Sequence, residues 1–407
     1  MTGEQEQGLG RYYADLHIHI GRTEAGAPVK ITGSRDLTFY NIAREASERK
    51  GIDIVGIIDC QSPAVQEEME HYLDNGEMTE LAGGGIRYRN TTVLLGSELE
   101  IRDPGFGPAH LLCFMPTLSA MKEFTGWLAR HMKNVSLSSQ RVYVTGRQLQ
   151  EETVGRGGVM IPAHIFTPHK SLYGSCCSRM EEVLDPDDIA AVELGLSSNT
   201  AMADRIPELR RHTFVTNSDA HSLPKIAREY NVMQLKEPTF EEVVQALKGA
   251  DGRGILANYG LEPKLGKYHR THCEVCDCLF ELDLSAEEER CPACGSRKIV
   301  RGVFDRIAAL SSCEDMPQQD GAIPKRPPYL HQIPLEFVPG LGRRKKEALL
   351  SAFGTEMNVL HRVPEDALAE VIGEGPASVI AAARSGAVEV TSGGGGRYGK
   401  VKSNSPS

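Results

Sequence analysis

Residues 11–19 of the chain read RYYADLHIH, a stretch that indicates a strand with a site at its end. Side chains on an extended strand alternate between its two faces, so Asp15, His17 and His19 share one face. Two imidazoles on one face can ligate the same ion, and a carboxylate beside them can orient a ligand or join the site. The stretch therefore predicts a strand that delivers metal ligands.

Six further segments repeat this order of apolar residues followed by polar ones. We predict strands at residues 11–19, 53–60, 91–100, 110–116, 159–166, 189–195 and 213–221. Helical patterns lie between them, and those at 38–50 and 239–248 begin with a threonine suited to the N-cap. Alternating strands and helices predict a mostly parallel α/β fold over residues 11–262, and seven strands are close to a closed barrel.

The polar residues cluster where the predicted strands end. In α/β barrels the loops at the carboxyl ends of the strands converge on one site, so residues far apart in sequence can meet there. We expect metal to be bound by His17, His19, Asp59, Cys60, Glu98, His110, His164, Asp219 and His221. Imidazole with carboxylate suits Zn²⁺, Mn²⁺ or Fe²⁺. A carboxylate shared by two ions about 3.5–4 Å apart is an arrangement used for phosphate ester hydrolysis.

A packed core residue is the more common role of an isolated strand histidine. The convergence of several histidines and carboxylates at predicted strand ends favours ligands instead. Five other histidines lie in helical or linker contexts, and we predict them on the surface: His71, His131, His212, His331 and His361.

The motifs DLHIH, IDC, SELE and NSDAH resemble those of the PHP (polymerase and histidinol phosphatase) superfamily over residues 11–260. The resemblance implies a distorted (β/α)7 barrel that hydrolyses phosphoesters with two or three metal ions, expected to be Zn²⁺ with Mn²⁺ or Mg²⁺ able to support activity. It implies one ion held by His17, His19, Glu98 and Asp219, and a second held by Glu98, His110 and His164. It implies catalytic roles for Asp15, Glu98, His164 and Asp219.

The chain departs from the superfamily at Asp59-Cys60, where Asp-His is common. Cys60 is either a thiolate ligand or a small buried residue, and both interpretations stay open. The number of ions in the barrel stays open with them.

Two Cys-x-x-Cys pairs lie in residues 265–302, at Cys273, Cys276, Cys291 and Cys294. Their spacing predicts one structural Zn²⁺ in a small ribbon-like module, with Cys278 and His272 as alternative ligands. Residues 303–332, with several prolines, predict a linker. The Gly- and Ser-rich residues 387–407 predict a disordered tail.

Residues 333–386 are similar to tandem helix-hairpin-helix modules, since VPGLG at 338–342 and IGEGPA at 372–377 introduce helical patterns. The resemblance implies that helix N-termini offer backbone N–H groups to DNA phosphates. The expected contacts are Gly340, Gly342, Arg343, Arg344, Lys345 and Lys346. An ordinary helical hairpin with a solvated basic turn is the alternative.

The order of barrel and cysteine module resembles the endonuclease Q subgroup, together with the motifs RYYADLHIHIGR at 11–22, KITGSRDLT at 30–38, DPDDIAAVELGLSSNT at 185–200 and TNSDAHS at 216–222. The helical module is an addition to this match that suits DNA binding. The resemblance implies a DNA-repair enzyme that nicks the strand 5′ of deaminated bases (hypoxanthine, uracil, xanthine) and of abasic sites. Such an enzyme is expected to flip the lesion into a pocket, for which the loop after His164 offers Phe166, His169, Lys170 and Tyr173. A small-molecule phosphoesterase and a weakly catalytic DNA-binding scaffold are the alternatives.

The composition of the 407-residue chain excludes other classes. A net charge of −10 argues against a surface that is basic throughout. No apolar run approaches the ~20 residues of a membrane span, and the first residues lack a signal-peptide pattern. We expect a cytoplasmic protein, associated with the nucleoid when bound to DNA, whose ten cysteines are thiols or metal ligands.

Overall fold

A computed structural model of the chain describes residues 8–283, 289–312, 325–384 and 390–401. The strands are β1 (Gly10–Ile18), β2 (Ile54–Ile57), β3 (Thr79–Glu80), β4 (Ile86–Tyr88), β5 (Thr91–Ile101), β6 (Ala109–Met115), β7 (Val159–Pro162), β8 (Val192–Glu193), β9 (Phe214–Val215), β10 (Tyr230–Leu235), β11 (Gly254–Gly260), β12 (Thr271–Cys273), β13 (Leu279–Phe280), β14 (Ile299–Val300), β15 (Tyr329–His331), β16 (Val390–Thr391) and β17 (Lys400–Val401). The α-helices are α1 (Phe39–Arg44), α2 (Pro63–Asp74), α3 (Leu118–Leu128), α4 (Gly146–Gly155), α5 (Thr200–Ala203), α6 (Phe240–Lys248), α7 (Val303–Ser311), α8 (Arg343–Phe353), α9 (Glu356–His361), α10 (Glu365–Ile372) and α11 (Glu374–Arg384).

Seven strands form a ring. β1 pairs with β2, β2 with β5, β5 with β6 and β6 with β7. The β8–β9 pair and two bridges, Met160 to Ile189 and Ile18 to Ala220, complete the circle. All seven predicted strands belong to this ring, so the predicted distorted, mostly parallel barrel is confirmed.

β6 is the one ring strand that runs against its neighbours. A short hairpin turns the chain directly back from β5, and its residue Gly107 passes so close to Ser175 that a Cβ would lie 1.8 Å from the Ser175 carbonyl oxygen. His110 therefore lies at the amino end of its strand, where the predicted strand 110–116 also begins. The reversal brings it opposite Glu100, at the same rim as the other site residues.

Apolar side chains fill the space beneath that rim. Six of the seven ring strands each contribute a buried residue to one cluster: Leu16, Ile54, Leu94, Leu112, Ile161 and Val215. The sheet continues beyond β1 through β10 and β11 to β15. None of the helices in the described ranges combines the length and apolarity needed to cross a bilayer.

The segment predicted as a linker, 303–332, begins with helix α7 and ends in β15. Val303, Ile307 and Leu310 are spaced so that α7 buries one apolar face. Arg306 on the same helix donates to the Tyr173 carbonyl at 2.6 Å, which ties α7 to the barrel. Residues 313–324 lie outside the described residues.

Helices α8–α11 form a module that packs on the barrel through polar contacts as well as apolar ones. Lys50 is buried, with its Nζ 2.9 Å from Glu356 Oε2 and 2.9 Å from the Pro224 carbonyl. His361 stacks on Tyr13 at a centroid distance of 5.3 Å. The prediction of surface histidines is thus wrong for His212, which is 5% exposed. His361 is half-buried at this contact. Tertiary contacts of this kind give no signal in the sequence pattern.

The described part of the predicted disordered tail, residues 390–401, is a β16–β17 hairpin. Its turn lies against residues 264–267, where Gly393 N–H donates to the Lys264 carbonyl at 2.6 Å and Gly396 N–H donates to the Lys267 carbonyl at 3.1 Å. The other residues of that prediction, 387–389 and 402–407, lie outside the described residues.

Candidate metal centre

Seven of the nine predicted metal ligands meet at the rim of the ring. They form three overlapping groups whose ligand atoms lie within 4.8 Å of one another: His17, His19 and Glu98; Glu98, His110 and His164; His19, Asp219 and His221. Glu98 and His19 each belong to two groups. The arrangement fits more than one ion, with Glu98 as the shared carboxylate.

The distances within the first group suit an ion better than hydrogen bonds. His17 Nε2 lies 3.6 Å from both Glu98 Oε1 and Asp219 Oδ1, and His19 Nε2 lies 3.6 Å from Glu98 Oε2. These separations exceed those of ordinary hydrogen bonds. Ligands about 2.1 Å from one tetrahedral ion are about 3.4 Å apart. Among the described residues His17 Nε2 has no hydrogen-bond partner, although it is buried, so the donor set fits a cation.

The second group surrounds the other side of Glu98. His110 Nδ1 lies 2.9 Å and His164 Nε2 lies 3.3 Å from Glu98 Oε1. His164 and Asp219 both have left-handed backbone conformations, with φ values of 31° and 46°. Such conformations cost a non-glycine residue of order 1–3 kcal/mol and persist where the surroundings require that side-chain direction.

Charge sets the protonation of these ligands. Burial raises the pKa of Glu98, but His110 and Lys30 outweigh burial and hold it well below its usual range. Burial and Lys30 lower the pKa of His19 to about 4, which leaves the imidazole neutral. Burial also acts to lower the pKa of His17, but Glu193, Asp219 and Glu98 raise it to about 10. Glu98 and Asp219 are therefore ionised, and a cation that binds beside them would displace the proton from His17.

Glu193 was not predicted, yet it positions two ligands. Its Oε2 lies 2.9 Å from His17 Nδ1, and its Oε1 accepts the backbone N–H of His164 at 2.9 Å. Asn217 Nδ2 also donates to it at 2.7 Å. A proton on His17 Nδ1 leaves Nε2 free for an ion. The available signal was a lone carboxylate within the apolar strand predicted at 189–195.

Replacing Glu193 with glutamine should weaken metal binding about 10- to 100-fold, the range found when such supporting carboxylates are changed. Glutamine keeps the size of the side chain and removes the charge that fixes the His17 tautomer. Calorimetric metal titration of the metal-free protein measures the effect, with the exposed Glu181→Gln as control. Equal affinities in the two variants would assign Glu193 a purely structural role.

Three predicted site residues have other roles. Asp15, expected to be catalytic, accepts backbone N–H groups from Ser218 at 2.9 Å and Ala227 at 2.8 Å, so it anchors the loop after β9. Asp59 accepts from His19 Nδ1 at 3.1 Å and orients that ligand without joining a ligand group. Cys60 is fully buried, its thiol donates to the Ile57 carbonyl at 3.0 Å, and burial raises its pKa, so it is the small buried residue of the two interpretations.

Two of the four predicted lesion-pocket residues belong to the core. Phe166 and Tyr173 are buried against each other, and the Tyr173 hydroxyl donates to Glu208 Oε1 at 2.8 Å. The Tyr173 N–H donates to the Ile165 carbonyl at 2.8 Å, which closes the loop on its own start and leaves both rings buried. His169 and Lys170 do line the cavity above the metal ligands.

That cavity has a volume of about 690 Å³ and is lined by cationic side chains as well as by the metal ligands. The cationic side chains that line it are Lys30, Lys170, Lys225, Arg228 and Lys267. Lys30 Nζ donates to Ser139 Oγ at 2.6 Å and lies 3.4 Å from Glu98 Oε2. Cations beside a metal site suit a polyanionic substrate such as a phosphodiester.

The four predicted cysteines meet in the small sheet β13-β12-β14. The Sγ atoms of Cys273 and Cys294 lie 3.6 Å apart, and those of Cys276 and Cys291 lie 3.5 Å apart. Sulfurs about 2.3 Å from a tetrahedral Zn²⁺ are about 3.8 Å apart, so the quartet fits that ion. Cys278 lies 3.3 Å from Cys291 but is outside the four-residue group.

The two glycine turns of the helical module are neighbours. Gly340 has a φ of 76°, and a Cβ built on it would lie 3.5 Å from Pro376 at the start of α11. Gly342 is the N-cap of α8, which begins with the basic run. The N-termini of α8 and α11 therefore lie close to each other.

The four basic residues at 343–346 differ in their contacts. Arg343 and Arg344 are exposed. Lys345 Nζ donates to the Ile372 carbonyl at 2.7 Å, and Lys346 Nζ lies 2.6 Å from Glu356 Oε1. That all four charges act on DNA stays a prediction, and in the described residues the ammonium groups of the two lysines donate to acceptors within the module.

Comparisons with known proteins agree with this geometry. A family model described as PHP-associated matches residues 199–251. The protein YqxK of Bacillus subtilis (strain 168) is 54% identical over 396 residues, which cover 97% of this chain and 100% of the relative. The structure of PfuEndoQ, a lesion-specific endonuclease from Pyrococcus furiosus, is 32% identical with a TM-score of 0.80 and covers 97% of this chain and 95% of that one.

A second solved structure is endonuclease Q in complex with a 27-mer duplex substrate that has an abasic lesion at the active site. It is 31% identical with a TM-score of 0.80, and the match covers 97% of this chain and 96% of that chain. The similarity thus includes the cysteine module and the helical module as well as the barrel.

Proposed function

The chain belongs to the endonuclease Q family of hydrolytic DNA endonucleases, and from this we propose that it nicks the phosphodiester 5′ of deaminated bases and abasic sites in DNA. The observation that carries the proposal is the juxtaposition of a shared-carboxylate metal site with a cavity rimmed by lysine and arginine. The bases concerned are hypoxanthine, uracil and xanthine. We further propose that the protein works in the cytoplasm, where reduced cysteines can hold zinc.

The ions that we propose are Zn²⁺, with Mn²⁺ or Mg²⁺ able to replace it in the barrel. Divalent ions at such a site activate water as a nucleophile and neutralise charge that develops on the phosphate. His17, His19 and Asp219 would hold one ion, His110 and His164 a second, and Glu98 both. The protein's own contribution is to keep Glu98 ionised and His19 neutral in a buried site.

The position of Lys30 supports binding of a phosphate group in the cavity. Its ammonium group stands beside Glu98 and lines the cavity, with a side chain 16% exposed. A cation there attracts a phosphate oxygen toward the metal ligands and orients it. Lys225, Arg228 and Lys267 add further positive charge to the lining of the same cavity.

The helical module is proposed to bind duplex phosphates in the manner of a helix-hairpin-helix pair, through Gly340, Gly342, Arg343 and Arg344. Exchanging both arginines for alanine should weaken binding of an unmodified duplex and reduce the slope of log K against log salt by about two, one for each phosphate that the variant no longer neutralises. Anisotropy titrations at several salt concentrations measure both effects, with the exposed Lys122→Ala on α3 as control. An unchanged slope would favour the alternative of a solvated basic turn.

The proposed function is tested with 5′-labelled duplexes that contain one hypoxanthine, uracil or abasic site, beside an unmodified duplex. Purified protein is incubated with added Mg²⁺, Mn²⁺ or Zn²⁺, or with a chelator. A single metal-dependent nick immediately 5′ of the lesion supports the proposal. Hydrolysis of small phosphate esters without any nick would contradict it and favour the phosphoesterase alternative.

A further inference from the structure

One aromatic side chain from the C-terminal hairpin stands at the mouth of the metal-site cavity. Tyr398 lines that cavity together with His19, Glu98 and Asp219. Arg228 Nη1 donates to the Tyr398 hydroxyl at 2.5 Å, and Arg228 Nη2 donates to the Asp219 carbonyl at 3.1 Å. The ring is therefore two hydrogen bonds away from a candidate metal ligand.

Three cations surround this ring. Lys267 Nζ lies 4.7 Å from the ring centroid, Lys225 Nζ lies 5.7 Å away and Arg228 Cζ lies 5.8 Å away. Burial, together with the charges of Arg228 and Lys225, lowers the pKa of Lys267. Within the described ranges Lys267 has no carboxylate at ion-pair distance. Lys225 Nζ is paired with Glu336 Oε1 at 2.6 Å. Arg228 and Lys267 are therefore the two cations of the cluster that have no carboxylate at ion-pair distance within the described ranges, and an anion is their natural partner.

The ring's position is fixed by close packing of the backbone that leads to it. A Cβ on Gly393 would lie 2.6 Å from the Gly266 carbonyl oxygen, and one on Gly395 would lie 2.7 Å from the His272 ring. Gly399 N–H, directly after the tyrosine, donates to the Leu265 carbonyl at 2.9 Å. The glycine run therefore allows the hairpin to lie against the barrel and the cysteine module, with Tyr398 directed to the cavity.

We propose that Tyr398 is the stacking platform for the nucleobase that is turned out of the duplex, while Lys225, Arg228 and Lys267 hold the adjoining phosphates. An aromatic ring among cations is the usual combination for binding unpaired nucleotides. The inference rests on the proposed function, in which the base is the lesion and the phosphate on its 5′ side is hydrolysed. That base and that phosphate belong to one nucleotide, so the base subsite must adjoin the metal ligands, as Tyr398 does.

A stacking platform acts only on lesions that retain a base, and this separates it from a general structural role. Tyr398→Ala should reduce kcat/KM for a hypoxanthine duplex about 10- to 100-fold and for an abasic duplex by less than about threefold. Tyr398→Phe keeps the ring and removes the hydroxyl that Arg228 contacts, so it should retain the preference of the wild type. Single-site duplexes of the same sequence are compared under the metal conditions that support nicking.

Three outcomes would overturn the inference: equal losses on both duplexes, unchanged rates on both, or faster nicking of both, which would identify Tyr398 as an obstructing group. Absence of nicking by the wild type would instead contradict the proposed function. A binding measurement distinguishes failure of the Tyr398 inference from failure of the proposed nicking activity, because binding can be measured without cleavage. In a Glu98→Gln background, Tyr398→Ala should weaken binding of the hypoxanthine duplex selectively, and equal binding of the two duplexes would reject the platform.

Discussion

Replacing Glu98 with glutamine should lower kcat/KM for nicking by at least about 1,000-fold. Glu98 is the carboxylate shared by two ligand groups, with Oε1 toward His110 and His164 and Oε2 toward His19. The amide keeps the shape of the side chain but removes the negative charge that both groups share. Stabilisation of transition-state charge by metal is worth several kcal/mol, and each 1.36 kcal/mol is about tenfold in rate.

The measurement pairs nicking rates with metal content, because the same substitution should also lower the number of ions bound in the barrel. Glu123→Gln, an exposed carboxylate on α3, makes the same chemical change away from the cavity and should retain wild-type rates. Thermal melting of the metal-free variants checks folding. A Glu98→Gln variant that nicks within about tenfold of the wild type would reject the shared-carboxylate site.

The strands and the ligand set could be predicted because their signals are local. Alternation along β1 puts His17 and His19 on one face, and apolar runs followed by polar residues identify the ring strands. Asp59 and Cys60 could not be separated from the ligands in this way. They sit at a strand end like the others, and only the tertiary contacts show that one orients His19 and the other is buried.

The residues that the sequence argument missed depend on contacts between distant segments. Glu193 acts on His17 across 176 positions of sequence. Tyr398 lies in a stretch whose composition resembles a flexible tail, yet its glycines serve close backbone approach. A glycine-rich composition is the same in a flexible tail and in a segment that packs closely, so the two can be told apart only when the neighbouring segment is known. The direction of β6 likewise depends on the length of the hairpin that joins it to β5. The pattern of apolar and polar residues within β6 does not indicate that direction.

The cysteine module should depend on its metal for folding. The buried hydrophobic residues of the described part of 271–300 are Cys273, Leu282 and Cys291, so the module lacks an apolar core of its own. Binding of structural Zn²⁺ contributes apparent free energies of about 10–16 kcal/mol in small zinc modules. Cys273 lies in the central strand β12 and is fully buried, so replacing it removes both a ligand and the packing of that strand.

Cys273→Ser should therefore lose about one zinc per chain and the amide-exchange protection of residues 271–300, while the barrel keeps its melting temperature. Cys278→Ser is the matched control, because this fifth thiol lies beside the quartet and outside it, and its zinc content should equal that of the wild type. Zinc analysis and hydrogen exchange provide the two readouts. Because the glycine run before Tyr398 packs on His272, the Cys273→Ser variant should also lose more activity on hypoxanthine duplexes than on abasic duplexes. Retained zinc in Cys273→Ser together with loss in Cys278→Ser would assign the fourth ligand to Cys278 instead.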